Sequence, residues 1–222
     1  MIIVIDGLSG SGKSSTARAV ADRLGIQYLD SGALYRAVTW IWLEEGRPED
    51  SFIDILSSKT ITFYDRGGQF HVEVDGENLA GEIRKQRVSE AVSQVAARPE
   101  VRAFVNELMR EAVRKNHFIA DGRDLGSAVF PDAELKIFMD ASLDVRAERR
   151  YAELKRSGEK ASMRNVRQNL ADRDRQDQSR EADPLVKTDD AVELDTTDLT
   201  FDDQVNRVVE MIRERFPEIE KT

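Results

Sequence analysis

The stretch Gly7-Leu8-Ser9-Gly10-Ser11-Gly12-Lys13-Ser14 lies between an apolar run, Ile2-Ile3-Val4-Ile5, and a helix-like segment from Ser15 to Leu24. It reads G-x-x-x-x-G-K-S. With a strand before it and a helix after it, this pattern builds a phosphate cradle. The glycines let the backbone curl so that several N–H groups face inward, and the helix N-terminus adds partial positive charge at the same spot. Lys13 is placed to reach the outer phosphates and Ser14 to offer its hydroxyl to Mg²⁺.

Outward from the cradle, the first strand is Ile2–Ile5 and its helix runs from Lys13 to Leu24, closed by Gly25. Ile26-Gln27-Tyr28-Leu29 reads as a second strand that delivers Asp30-Ser31-Gly32 to the edge where a parallel sheet carries ligands. A helix from Ala33 to Glu45 follows, with Tyr35 and Arg36 in its first turn. Asp30 either orients Mg²⁺ through water or caps that helix.

Ile61–Tyr64 and Phe70–Val74 flank Asp65-Arg66-Gly67-Gly68-Gln69, a hairpin signal, and Asp75-Gly76 marks another turn. Such tight turns do not join parallel strands, so residues 59–82 read as a small antiparallel insert outside the main sheet. The core is then 1–58 and 83–222.

Two helices are expected over Glu82–Ala97 and Pro99–Asn116, then strands at His117–Ala120, Leu135–Met139 and Ala191–Leu194. Leu143–Arg156 reads as a basic helix, broken at Ser157-Gly158-Glu159-Lys160. Met163–Arg180 is helical and so polar that it should be exposed and mobile, a lid spanning about residues 157–183. The last helix carries an apolar stripe, Phe201, Val205, Val208, Val209, Ile212 and Phe216. Five strands alternating with helices give an α/β doubly wound fold, a five-stranded parallel sheet flanked by helices.

Composition narrows the function. The chain has 222 residues and a net charge of -9, which argues against a nucleic-acid-coating surface. It has no cysteine and only 2 histidines, His71 and His117, so thiolate chemistry, a histidine metal site and a serine–histidine triad are not expected. Met1–Ile5 is too short for a signal-peptide core, and no run is long enough to span a membrane. The expectation is a cytoplasmic monomer.

A guanine-nucleotide switch would show Asn-Lys-x-Asp, and that string is absent. Arginines instead stand at strand ends and in the lid: Arg36, Arg102, Arg123 and the run Arg173–Arg180. Phosphoryl transfer needs such cations because two anions must meet, and bidentate arginines suit it better than lysines. The alternation of acid and base in Arg173–Arg180 suits an exposed salt-bridged helix equally well. A small kinase acting on a phosphorylated acceptor is the natural reading.

Along nearly its whole length the chain resembles bacterial cytidylate kinase, a nucleoside monophosphate kinase with a P-loop. The matching motifs are the Gly7–Ser14 loop, Asp30-Ser31-Gly32-Ala33-Leu34-Tyr35-Arg36, Ser93-Gln94-Val95-Ala96-Ala97, Val101-Arg102, Ala120-Asp121-Gly122-Arg123-Asp124-Leu125-Gly126, Arg173-Asp174-x-x-Asp177-x-x-Arg180 and Asp195-Thr196-Thr197. The insert at 59–82 looks like the enlarged CMP-binding lobe of the longer form.

The resemblance implies transfer from ATP to CMP, and to dCMP, with Mg²⁺. ATP falls to Gly7, Leu8, Ser9, Gly10, Ser11, Gly12, Lys13, Ser14 and Ser15, with Arg149 or Arg150 against adenine. The metal falls to Ser14 and Asp30. Ser31, Tyr35, Arg36, Ser93, Arg102, Arg123, Asp124, Arg173, Asp177 and Arg180 form the CMP side. Of these, Arg36, Arg123 and Arg180 hold the phosphate, Ser93, Arg102 and Asp124 read cytosine, and Arg173 and Asp177 meet the sugar. Lys13, Arg123, Arg173 and Arg180 are the catalytic set. Cytosine offers an amino donor to Asp124, whereas uracil offers an acceptor there. Gln176 and Gln178 stand where relatives often carry further arginines, which lowers the lid's charge. The rival readings are a kinase for UMP, dTMP or a non-nucleotide acceptor, and a nucleotide-bound switch without turnover.

Overall fold

The computed structural model of the chain describes residues 1–66, 69–113, 117–156, 158 and 160–219. Gly67-Gly68 at the expected hairpin tip, residues 114–116 at the end of the helix expected to reach Asn116, and Ser157 and Glu159 in the expected helix break lie outside them.

The central strand is β1 (Ile2–Gly7). It is flanked by β6 (Phe118–Asp121) and β7 (Leu135–Asp140), with β2 (Gln27–Asp30) and β8 (Val192–Asp195) at the edges. All neighbouring pairs in this sheet are parallel. Because both faces are covered, β1 is a continuous apolar run rather than an alternating one. Successive residues still point to opposite sides. Ile3 and Ile5 pack with α1 (Lys13–Leu24) and α8 (Phe201–Arg215), while Val4 packs in the core containing α2 (Ser31–Glu44) and α5 (Pro99–Ala112).

On α8, Val205, Val208, Val209 and Ile212 are buried as the stripe requires, but Phe201 at its start is 48% exposed. Thr200 and Asp203 form a reciprocal capping box there.

Three elements depart from the sequence reading. A short helix, α3 (Phe52–Ser58), was not foreseen; it seats Phe52 and Leu56, one turn apart, in the core. The expected helix over Glu82–Ala97 is two pieces. A 3₁₀ turn, Glu82–Arg84, is separated from α4 (Gln86–Ala96) by Lys85 in extended backbone. Beyond β6 the chain makes a π-helical turn, Leu125–Val129, held by Asp6 at the end of β1, whose two oxygens accept the Leu125 and Gly126 N–H groups at 2.9 and 2.7 Å.

The insert is a three-stranded antiparallel sheet of β3 (Ile61–Arg66), β4 (Gln69–Val74) and β5 (Glu77–Asn78). The Asp75-Gly76 turn has positive φ at both residues, 51° and 84°, as a two-residue hairpin of this kind requires. The insert is separate from the main sheet but not from the main core. Val72 and Val74 are buried with α2, and an aromatic series, Phe63 to Phe70 at 5.7 Å and Phe70 to Tyr28 at 6.1 Å, ties it to β2.

The remaining helices, α6 (Leu143–Arg156) and α7 (Met163–Ser179), pack on each other through Ala147, Val166 and Leu170. Among the described residues no helix is long and apolar enough to cross a membrane.

Candidate active site

The cradle sits where β1 ends, between β6 and β7, at the C-terminal edge of the sheet. That edge is where open α/β sheets bind ligands. Gly7 has φ +143°, and a Cβ there would stand 1.9 Å from the Met139 carbonyl oxygen of β7. Only glycine lets the loop leave the strand so close to its neighbour. Gly12, at φ +100°, faces the Gln204 side chain, 2.8 Å from where a Cβ would lie. Within the loop, Ser11 donates to the Leu8 carbonyl at 3.0 Å and Ser15 to the Gly12 carbonyl at 2.9 Å.

Lys13 is 4% exposed, and its Nζ donates to the Leu8 carbonyl at 2.6 Å. Burial holds its pKa well below that of an ordinary lysine, and Arg123 adds to the effect, while Asp121 and Asp6 oppose it. Lys13 is thus a desolvated cation folded against its own loop.

Ser14 donates to Asp121 Oδ2 at 2.6 Å, and Tyr28 donates to Asp121 Oδ1 at 2.6 Å. Burial and the neighbouring Asp30 push the Asp121 carboxyl up to about 6. Asp30 itself caps α2, accepting the Ala33 N–H at 2.8 Å. The carboxylate in contact with Ser14 is therefore Asp121, which stands in one of the motifs quoted from the sequence but was given no role there. Ser31 is also committed, its hydroxyl donating to the Asp121 carbonyl at 2.7 Å.

Arg149 reaches the cradle from α6, donating to the Ser11 carbonyl at 3.3 Å and the Thr196 carbonyl at 2.6 Å. Arg150, one residue on, is exposed and pairs with Glu153. Thr196, after β8, donates its hydroxyl to the Ser11 carbonyl at 3.0 Å and its N–H to the Asp140 carbonyl at 2.8 Å, so it locks the loop to the sheet edge.

The second cluster is built around Arg102, which is 1% exposed. Its Nη2 donates to Asp124, its Nε donates to Asp183 at 2.8 Å, and its guanidinium lies 5.3 Å from the Tyr35 ring centroid. Tyr35 in turn donates to Asn106 at 3.3 Å. Arg180 Nη2 donates to the other Asp124 oxygen at 2.6 Å. Burial raises the Asp124 pKa despite the two arginines. Burial works against the Arg102 charge, but Asp124, Tyr35 and Asp183 outweigh it and its pKa ends up raised. Arg102 Nη1 donates to the Ala96 carbonyl at 3.2 Å, and Ser93 lies one turn earlier on the same helix.

Between the two clusters stand Arg36, Arg123 and Arg173. Arg123 donates to Asp177 at 2.8 Å and to Ser9 Oγ at 3.3 Å, so it touches both lid and cradle. Among the described residues Arg173 makes no ion pair. Burial, with Arg123 and Arg36 as like-charged neighbours, pulls its pKa down to about 10. Three guanidiniums crowded with one partner carboxylate make a site for an anion.

The expected lid helix is largely exposed along its first half, but its second half is docked. Asp174 is buried, accepting the Ser9 N–H at 3.1 Å and pairing with Arg146 at 2.6 Å. Arg146, also buried, donates to the Ser9 carbonyl at 2.9 Å. Neither residue was singled out from sequence as a tie to the cradle. The only signal was their placement among the arginines of α6 and α7.

Comparison with known proteins agrees with this geometry. The family model described as cytidylate kinase matches residues 3–214. The cytidylate kinase of Streptomyces avermitilis is 43% identical, the alignment covering 97% of this chain and 94% of that protein. That of Lactobacillus johnsonii is 39% identical over 97% and 95%, and that of Clostridioides difficile 42% identical over 96% and 98%.

Proposed function

The chain belongs to the cytidylate kinase family, and from that premise we infer which of its residues hold each substrate. It is a nucleoside monophosphate kinase that passes the γ-phosphoryl group of ATP to CMP, giving ADP and CDP. ATP lies with its phosphates in the Gly7–Ser15 loop and its adenine beside Arg149. CMP lies with its phosphate at Arg36, Arg123 and Arg180, its sugar at Arg173 and Asp177, and its base against Ser93, Arg102 and Asp124, with Ser31 and Tyr35 shaping the wall. dCMP is a second acceptor. The enzyme works as a monomer in the cytoplasm, and α7 with its flanking loops serves as the lid.

The observation that carries this assignment is Arg173. A half-buried guanidinium with no ion pair among the described residues, beside two others, is costly unless an anion arrives. The transferring phosphoryl group is that anion. Lys13 and Arg123 approach it from the cradle side, Arg173 and Arg180 from α7. No covalent intermediate is required, because the acceptor phosphate is already a nucleophile. Alignment and charge neutralisation supply the rate, and docking of α7 excludes water.

The residues present suit Mg²⁺. Ser14 Oγ and Asp121 Oδ2, 2.6 Å apart, are hard oxygen donors, and this ion takes few protein ligands. Ser14 would hold it, with Asp121 and Asp30 orienting its waters. Bound there, it would supply positive charge to the phosphates that the cradle holds.

An ADP-release assay over CMP, dCMP, UMP, dTMP and non-nucleotide phosphate esters tests the reading. CMP and dCMP should dominate. Preference for another acceptor, or ATP binding without acceptor-dependent ADP, would overturn it.

A further inference from the structure

We propose that Asp183 is a positioning residue that sets the preference of the base pocket for cytosine. It lies outside every motif quoted above. Its backbone is left-handed at φ 47°, an uncommon conformation for a side chain with a Cβ. Leu185, two residues on, is buried and donates its N–H to the Asp177 carbonyl at 2.8 Å, which anchors the turn to α7.

That turn places both the carboxylate and the carbonyl of Asp183 on the pocket arginines. Asp183 Oδ2 accepts from Arg102 Nε at 2.8 Å, and the Asp183 carbonyl accepts from Arg180 Nε at 2.6 Å. Asp124 holds the Nη2 end of each of these same two arginines. The four residues therefore close a ring in which each guanidinium is clamped at two points. Tyr35 lies within the field of all four.

The charges in the ring cancel: Arg102 and Arg180 against Asp124 and Asp183. Beside the ring, Arg123 pairs with Asp177, which also lies 3.7 Å from Arg180, while Arg36 and Arg173 add two further positive charges. A neutral subsite beside a cationic one matches a nucleotide, whose base is neutral and whose phosphate is not. Asp183 also determines what Asp124 can do. A carboxylate has about four lone-pair sites, and the two arginines use two of them. With Asp183 sharing Arg102, Asp124 keeps acceptor capacity for an amino group. Without Asp183, Asp124 would be the sole counterion of Arg102, and the ring would carry a net positive charge. That favours a carbonyl oxygen at the same place, as in uracil.

The proposal rests on the reading that Asp124 and Arg102 face the base, and the experiment separates the two. Asp183→Asn removes the charge at nearly constant shape, and Asp183→Gly removes the side chain at a φ that glycine adopts freely. kcat and KM are measured for CMP and UMP with both variants and with Asp124→Asn, and CMP affinity by calorimetry. Expected is a fall of about tenfold or more in the CMP-to-UMP ratio of kcat/KM for all three. In the Asp183 variants it arises mainly from a raised KM for CMP, with weaker CMP binding and an unchanged KM for ATP. If Asp124→Asn lowers the ratio and the Asp183 variants do not, the role of Asp183 is wrong and the pocket assignment stands. If Asp183→Gly lowers it but Asp183→Asn does not, the charge argument is wrong. If Asp124→Asn leaves the ratio intact, the pocket assignment fails and the proposal fails with it.

Discussion

Asp174 of α7 accepts the Ser9 N–H of the cradle at 3.1 Å while pairing with Arg146 of α6 at 2.6 Å. One buried carboxylate thus fixes the phosphate loop to two helices. Asp174→Ala leaves Arg146 buried without its counterion and the Ser9 N–H without its acceptor. The expected loss is about 3–5 kcal/mol of unfolding free energy, read by urea denaturation. An unchanged midpoint would show that the contact is dispensable.

Lys13 carries the opposite balance. Its cation is desolvated, and burial already lowers its pKa. Lys13→Met should leave the thermal midpoint unchanged or higher. Turnover should fall by about 10³ or more, since the loss removes a charge aimed at the transferring group. Paired melting curves and steady-state kinetics check both halves.

Arg173 should behave likewise on the other bank. Arg173→Met relieves repulsion with Arg123 and Arg36. We expect stability to hold or rise and kcat to drop by about 10² or more. A variant that loses stability and keeps kcat would mark Arg173 as structural.

Ser14→Ala should separate the metal from the nucleotide. It removes the hydroxyl that meets Asp121 but leaves the loop backbone. Calorimetry should show ATP affinity little changed without Mg²⁺ and a smaller gain on adding it. An equal gain in both proteins would remove Ser14 from the metal site.

Asp6 predicts a pH effect on stability. Burial, opposed by the N–H groups of Gly126 and Leu125, brings its folded pKa up to about 6 from 3.8. Between these values the folded chain holds a proton at Asp6 that the unfolded chain has released. Stability therefore falls as pH rises from about 4 to about 6 on account of this residue. Asp6→Asn should lose that component of the slope. At neutral pH it should also be less stable by about 1–3 kcal/mol, because an amide cannot accept both N–H bonds. Guanidinium titrations across the pH range measure both.

The parallel sheet was legible because its three inner strands are mostly apolar and every strand ends in Gly or Asp, and the cradle because its motif sat between strand and helix. Most of the arginine ring was legible too, through likeness to a family. What escaped has local causes. Phe52–Ser58 is too short for a periodic signal, and its burial depends on a core assembled from distant segments. The break at Lys85 lies inside a pattern that reads as one helix. Asp121 could not be told from other strand-end carboxylates until Tyr28 and Ser14 were seen on its two oxygens. Asp183 gave only the weak turn signal of the Asp183-Pro184 pair, because its role comes from a left-handed turn that no nearby glycine announces.

The aromatic series from Phe63 through Phe70 to Tyr28 has a practical consequence. Tyr28 belongs to the central domain and bonds the carboxylate that touches Ser14. The hairpin is therefore not a portable cassette. A chimera that imports this segment from another enzyme must bring along a ring that fits Tyr28, or its builders should expect the disturbance to surface at the opposite substrate.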